Sequence, residues 1–138
     1  MDGDSLIGGL SCLLEGVKMS FQEGSWVLSL CGVSKAVEGS AIRPPFEIAR
    51  DLYLDMLISK LKELGAVNIE HGPFSGGFYG VLDRASAGVH LSIDFSDGST
   101  AEIMLMTETP SIGKWVLKPA VVILDGRCVY PPGCYGVY

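Results

Sequence analysis

Three side chains that could do chemistry together alternate along one stretch of the sequence: His90, Ser92 and Asp94. A base, a hydroxyl and a carboxylate on one face of a strand have the composition of a hydrolase triad. Same-face neighbours on a strand, however, lie roughly 6 to 7 Å apart and project in parallel, whereas triad groups must converge within hydrogen-bonding distance. We therefore interpret these residues as part of a solvated polar strand face rather than as a catalytic triad.

Three carboxylates, Glu47, Asp51 and Asp55, recur every four residues and would form a stripe on a helix. Such a stripe could bind a hard cation, because hard cations prefer oxygen ligands. A divalent site usually needs ligands from a second element, and the sequence does not identify them. Acidic residues early in a helix, with Lys60 and Lys62 near its end, are also what the helix dipole favours, so we expect an exposed helix face.

A glycine-rich segment spans residues 71–80. It has neither the glycine spacing of a dinucleotide-binding loop nor the Gly-Lys-Ser/Thr ending of a phosphate-binding loop. As a loop it could close over a ligand or a partner, and its candidate binding residues are Phe74, Phe78 and Tyr79. The alternative is a strand connection whose aromatic side chains turn inward.

No other motif indicates catalysis or a metal centre. The sequence has no His-Glu-x-x-His and no Gly-x-Ser-x-Gly motif. The cysteines Cys12, Cys31, Cys128 and Cys134 do not form Cys-x-x-Cys pairs, which argues against structural zinc. We therefore expect no metal, no cofactor and a non-catalytic protein. We also expect free thiols, as in a reducing cytosol; in an exported protein, Cys128 and Cys134 could close a short terminal loop.

Length and composition indicate a single globular domain over residues 1–138. The chain carries 16 acidic and 10 basic side chains, which gives a formal net charge of −6. This acid excess argues against binding to nucleic acid or to an anionic membrane, and it favours a basic protein partner. The N-terminal residues lack the basic character of a secretory signal, and no apolar stretch is long enough to span a membrane, so we expect a cytoplasmic protein.

The periodicity of apolar residues predicts an α+β fold. The strongest helical pattern covers residues 46–64, and a shorter N-terminal helix is capped by Asp4 or Ser5 and ends at Gly16. The remaining patterns alternate as strands do. We expect a mostly antiparallel sheet, a meander with hairpins, with both helices packed on one face. Residues 131–138 could form a flexible tail or add to a sheet edge.

The first hairpin is expected to turn at residues 24–25, with glycine in the first position of a type II′ turn. This turn pairs Phe21 with Leu28 and Met19 with Leu30. The larger apolar side chains then share one face of the hairpin.

A second hairpin is expected to turn at residues 97–99, which places Asp94 directly opposite Glu102. On the other side, a strand just before it completes a three-stranded meander and places Asp83 across from His90. Two like charges opposite one another cost stability unless a cation, a base or a proton offsets them.

One face of this meander is our leading candidate for a partner surface, because it is polar yet carries two methionines. Its residues are Asp83, His90, Ser92, Asp94, Glu102, Met104 and Met106. The alternative is that a helix covers the methionines and the acidic residues lie at the rim.

Three functions are compatible with these patterns. The first is a non-catalytic acidic protein that masks or inhibits a basic protein partner through this face. The second is a small-molecule-binding protein or enzyme with a pocket between helix and sheet, gated by the loop at residues 72–80. The third is a self-associating structural subunit, that is, a homo-oligomer.

Overall fold

The computed structural model describes residues 1–73, 89–111 and 113–134. In these ranges the chain forms two α-helices, a 3₁₀ helix and eight strands. The helical elements are α1 (Gly3–Gly9), the 3₁₀ helix (Ser11–Glu15) and α2 (Phe46–Glu63). The strands are β1 (Val17–Gln22), β2 (Ser25–Leu30), β3 (Val33–Glu38), β4 (Ala66–Pro73), β5 (Val89–Phe95), β6 (Thr100–Ser111), β7 (Lys114–Leu124) and β8 (Arg127–Tyr130).

The strands form one curled antiparallel sheet in the order β3-β2-β1-β7-β6-β5-β4. Strand β8 lies off this path and pairs with the second half of β7, whereas β1 pairs with its first half. The sheet and the two helices confirm the predicted α+β class.

The core lies between the helices and one face of the sheet, which we call the inner face. Alternate residues of β5 are buried there, from Val89 to Phe95, and they join one apolar cluster with Tyr53, Leu57 and Leu61 of α2. Both α1 and the 3₁₀ helix add leucines to the same cluster. The helices therefore cover the inner face and leave the opposite, outer face without a helix in the described part of the chain.

Helix α2 confirms the long helix predicted for residues 46–64. Pro45 is its N-cap, a position that suits the fixed φ angle of proline next to a helix start. Glu47 lies in the first turn and Lys60 and Lys62 in the last, as the helix dipole favours. No described helix is both long and apolar enough to cross a membrane.

The N-terminal helical segment differs from its prediction in two ways. Its cap is Asp2, whose carboxylate accepts a hydrogen bond from the Ser5 backbone N–H at 2.7 Å, rather than Asp4 or Ser5. It is also divided, because α1 ends at Gly9 and a 3₁₀ helix follows. The Cβ of any larger residue at Gly9 would lie 2.8 Å from the Leu64 side chain, so glycine lets α1 pack closely against the end of α2.

The first hairpin keeps its predicted faces but not its predicted register. Its turn residues are Glu23 and Gly24, both with positive φ, so glycine takes the second position of a type I′ turn rather than the first position of a type II′ turn. Phe21 consequently pairs with Trp26 instead of Leu28. The shift is two residues, and a shift of two preserves the side-chain alternation.

The second hairpin shows the same kind of error. Its turn closes through a hydrogen bond from the Gly98 N–H to the Phe95 carbonyl, and Gly98, at φ +90°, takes the last loop position instead of the middle one. Asp94 therefore lies opposite Thr100 rather than Glu102. On its other side, β5 pairs with β4, and the segment predicted to be its partner lies outside the described residues.

All four cysteines are in disulfides, so the expectation of free thiols was wrong. Cys12 of the 3₁₀ helix is bonded to Cys31 in the turn between β2 and β3, which ties the helical layer to the sheet. Cys128 is bonded to Cys134, the loop closure that the sequence allowed for an exported protein.

Candidate functional site

The structure places six of the predicted site residues on the outer face of the sheet. On β5 and β6 the residues that alternate with the buried ones all point away from the helices. These six are His90, Ser92, Asp94, Glu102, Met104 and Met106. The other predicted site residues, Phe74, Phe78, Tyr79 and Asp83, lie outside the described residues.

The predicted Asp94 and Glu102 pair is not formed. Glu102 lies opposite Ser92, and its Oε1 is 3.0 Å from Nε2 of His90 on the neighbouring strand. Asp94 accepts a hydrogen bond from the Asn68 side-chain amide at 3.1 Å. Each carboxylate thus has its own partner, so the repulsion expected from a direct pair is absent.

The position across from His90 is also different from the prediction. Gly72 of β4 and Met104 of β6 flank it, and Asp83 lies outside the described residues. His90 contacts a carboxylate across the sheet rather than the hydroxyl of Ser92, and this arrangement is consistent with a polar face and not with a triad.

Glu70 is an acidic residue of this face that the sequence analysis missed. It pairs with Ser92 across β4 and β5, so Ser92 lies between Glu70 and Glu102, each about 4.8 Å away in the strand-to-strand direction. We call Glu70, Asp94 and Glu102 the acidic half of the outer face. Only the pairing of β4 with β5 could have revealed Glu70.

Lysines occupy the other side of the outer face. Lys18 of β1 pairs with Val116 of β7, and the same face of β7 carries Lys114 and Lys118. Lys118 forms an ion pair with Glu108 at 3.3 Å. We call Lys18, Lys114 and Lys118 the lysine half. The alternation on each strand is visible in the sequence, but the contact between β1 and β7 is not.

A strip of apolar side chains separates the two halves. Met106 lies opposite Lys118, and Met104 lies opposite Val121, all of them partly exposed. Next to this strip, Ile123 and Cys128 pair with each other and are only 4% exposed, yet neither belongs to the main core. The loop closed by the second disulfide therefore borders the apolar strip.

A separate cavity lies between the helical elements. We call it the helix groove; it has a volume of about 610 Å³ and lies between the end of α1, the 3₁₀ helix and the second half of α2. Its walls include Gly8, Cys12, Leu13, Asp55, Met56 and Glu63. The pocket predicted between helix and sheet was expected to be gated by residues 72–80, most of which lie outside the described ranges.

The carboxylate stripe on α2 is exposed, as expected. Glu47, Asp51 and Asp55 all face solvent. Throughout residues 1–73, 89–111 and 113–134, no group of three or more His, Cys, Asp or Glu side chains is arranged to hold a metal ion.

Comparison with known proteins finds no matching family model, no matching curated protein and no matching solved structure.

Proposed function

We propose that this protein is a non-catalytic binding protein that docks a protein partner on the outer face of its sheet. One observation carries the proposal: both helices pack on the inner face, so the apolar strip of Met104, Met106 and Val121 is left partly exposed between charged side chains. Flexible methionine side chains adapt to a partner surface, and a surrounding polar rim is typical of protein interfaces.

The partner we propose is basic where it meets the acidic half. Glu70 and Asp94 are exposed, and the whole chain has a formal net charge of −6. A field of this sign accelerates the encounter with a positively charged surface, while the methionines supply the apolar contact that slows dissociation. Acidic residues that speed encounter and methionines that slow dissociation together support masking or inhibition of a basic protein.

A charge reversal tests the proposal. The unchanged protein, when immobilised, should retain basic proteins at low salt. The double variant Asp94→Lys with Glu102→Lys should no longer retain them. The matched control, Glu15→Lys combined with Asp51→Lys, makes the same change in net charge at exposed positions of the helical elements. If both double variants lost capture equally, net charge alone would explain the loss. The outer face would then be rejected as the binding site.

Self-association is a second candidate function, and the layout of the outer face favours it. If two copies meet face to face around a two-fold axis that runs along the apolar strip, the acidic half of each lies opposite the lysine half of the other, and the apolar strips meet at the centre. Sedimentation velocity separates this candidate from the first. A dimer weakened by Lys114→Glu and restored by adding Asp94→Lys would favour self-association.

The compartment of the protein is part of the proposal. The sequence predicts a cytoplasmic location, whereas two disulfides per chain favour an oxidising compartment, because a reducing cytosol keeps most thiols free. We propose the oxidising compartment. Thiol labelling of the protein in intact cells tests it, since four reactive cysteines would support the cytoplasm instead.

A further inference from the structure

We propose that the helix groove is a second binding site, specific for a small organic amine with an apolar body. It lies on the helical side of the molecule and does not depend on the outer face. Its volume of about 610 Å³ is in the range of ligand pockets in proteins.

The walls of the helix groove are held in place by three contacts. The disulfide between Cys12 and Cys31 fixes the 3₁₀ helix to the sheet. The Tyr53 hydroxyl donates a hydrogen bond of 2.6 Å to the Leu13 carbonyl, which fixes the same helix to α2. Gly9 brings α1 into close contact with Leu64. Because the groove is preformed, ligand binding does not have to offset the entropy cost of ordering the protein around it.

Gly8 lines the groove and adds no side chain to it. A Cβ at this position would meet no other atom within 4 Å, so the space beside it is free. Leu13 and Met56 provide apolar surface, and the Ser11 and Ser59 hydroxyls provide hydrogen-bonding groups. The groove thus has both an apolar area and polar groups with which to orient a ligand.

Charge identifies the class of ligand. The groove is lined by two acidic side chains and one basic one, and the basic one, Lys60, is already within 3.5 Å of Glu63. Within the described residues, no cationic nitrogen lies within 4 Å of the third charge, Asp55. A protonated amine bound in the groove would pair with the exposed carboxylate of Asp55, whereas a carboxylate or phosphate ligand would be repelled by it.

Phenethylamine, 2-phenylethanol and 3-phenylpropionate form a matched set of probes, because they share a phenyl ring and differ in charge. Titration followed by NMR should give saturable shifts around Leu13 and Met56 with phenethylamine, weaker shifts with the alcohol and none with the carboxylate. Asp55→Asn should weaken amine binding about fivefold, as expected for an exposed ion pair. Asp51→Asn, one turn earlier on α2, is the control and should bind as the unchanged protein does.

A blocking variant tests the location. Gly8→Leu should fill the open side of the groove and prevent binding, whereas Ser5→Leu, at an exposed position of the same helix, should not. Circular dichroism verifies that each variant is folded. Absence of saturable binding at millimolar phenethylamine, equal binding of the amine and the carboxylate, or unchanged binding to Asp55→Asn would each overturn the proposal, with no bearing on the outer face.

Discussion

The inner and outer faces of the sheet are made by the same strands, yet their side chains differ in exposure to solvent. On β6, Ile103 is fully buried against the helical layer, while its neighbour Met104 lies on the outer face and is partly exposed. The inner face stabilises the fold, because its side chains are removed from water. The outer-face side chains of β5 and β6 keep part of their surface in water, so substitutions there should disturb the fold less.

The largest expected effect separates these two faces directly. Ile103→Ala should lower the free energy of unfolding by about 3 kcal/mol, because it leaves a cavity in a packed core. Met104→Ala, one residue away, should cost less than about 1 kcal/mol, because its side chain already contacts solvent. Denaturant unfolding of both variants measures the difference. Equal costs would mean that the outer face is also part of a core.

The two disulfides differ in the same way, because one links the helical layer to the sheet and the other closes a loop beside the outer face. Replacing Cys12 and Cys31 by serine should destabilise the protein by about 3 kcal/mol, since this bond closes a loop across 19 residues and links the helical layer to the sheet. Replacing Cys128 and Cys134 should cost about 2 kcal/mol, because the closed loop is shorter. Thermal unfolding with and without each pair tests the order, and a reversed order would contradict it.

The polar contact inside the helical layer should matter more than polar groups on the outer face. Burial raises the pKa of Tyr53, so its hydroxyl stays protonated and donates to the Leu13 carbonyl. Tyr53→Phe removes this hydrogen bond, although the Leu13 carbonyl still accepts one from the Gly16 N–H at 3.1 Å, and it should cost about 1 kcal/mol. Ser92→Ala on the outer face is the control and should change the unfolding midpoint little.

The contact between His90 and Glu102 on the outer face should contribute little to stability. Glu102→Gln removes the carboxylate that contacts the His90 ring and should change the free energy of unfolding by less than about 1 kcal/mol, because both side chains are partly exposed. The same variant should slow association with a basic partner. Stopped-flow mixing at two salt concentrations measures the association rate, and denaturant unfolding measures the stability. A large loss of stability with an unchanged association rate would contradict a role of Glu102 in partner binding.

The smallest effect is a pH dependence at the N-terminus of α1. The backbone N–H of Ser5 binds the Asp2 carboxylate and lowers its pKa below its ordinary value of 3.8. Because the folded pKa is depressed, this contribution is present above pH 4 and is lost as the pH falls through the lowered value. Asp2→Asn retains a capping oxygen but does not titrate, so its acid unfolding curve should lack this component.

Sequence analysis predicted what depends on local periodicity. The faces of His90, Ser92 and Asp94 follow from the two-residue repeat of a strand, and α2 follows from its helical repeat. Turn chemistry was the main source of error, since the positions of Gly24 and Gly98 within their turns decide the register. Because a two-residue shift keeps every face, the six described residues of the predicted partner surface share one face of the sheet as expected, while their predicted cross-strand partners were wrong.

The features that the sequence did not predict depend on contacts between distant segments. Lys18 joins the outer face only because β1 pairs with β7, and Glu70 joins it only because β4 pairs with β5. The bond between Cys12 and Cys31 likewise requires the 3₁₀ helix to lie against a turn of the sheet. Neither residue spacing nor composition specifies such contacts.

The pairing of β1 with β7 has a consequence for how the chain reaches its native state. Val17 and Leu117 are neighbours in the sheet but are separated by about one hundred residues, so closing this contact requires a long loop to form first. The hairpin of β1 and β2 can form early, yet the β1 edge that pairs with β7 stays without its partner strand until β7 has been synthesised. We therefore expect slow folding and a transient, aggregation-prone intermediate during translation.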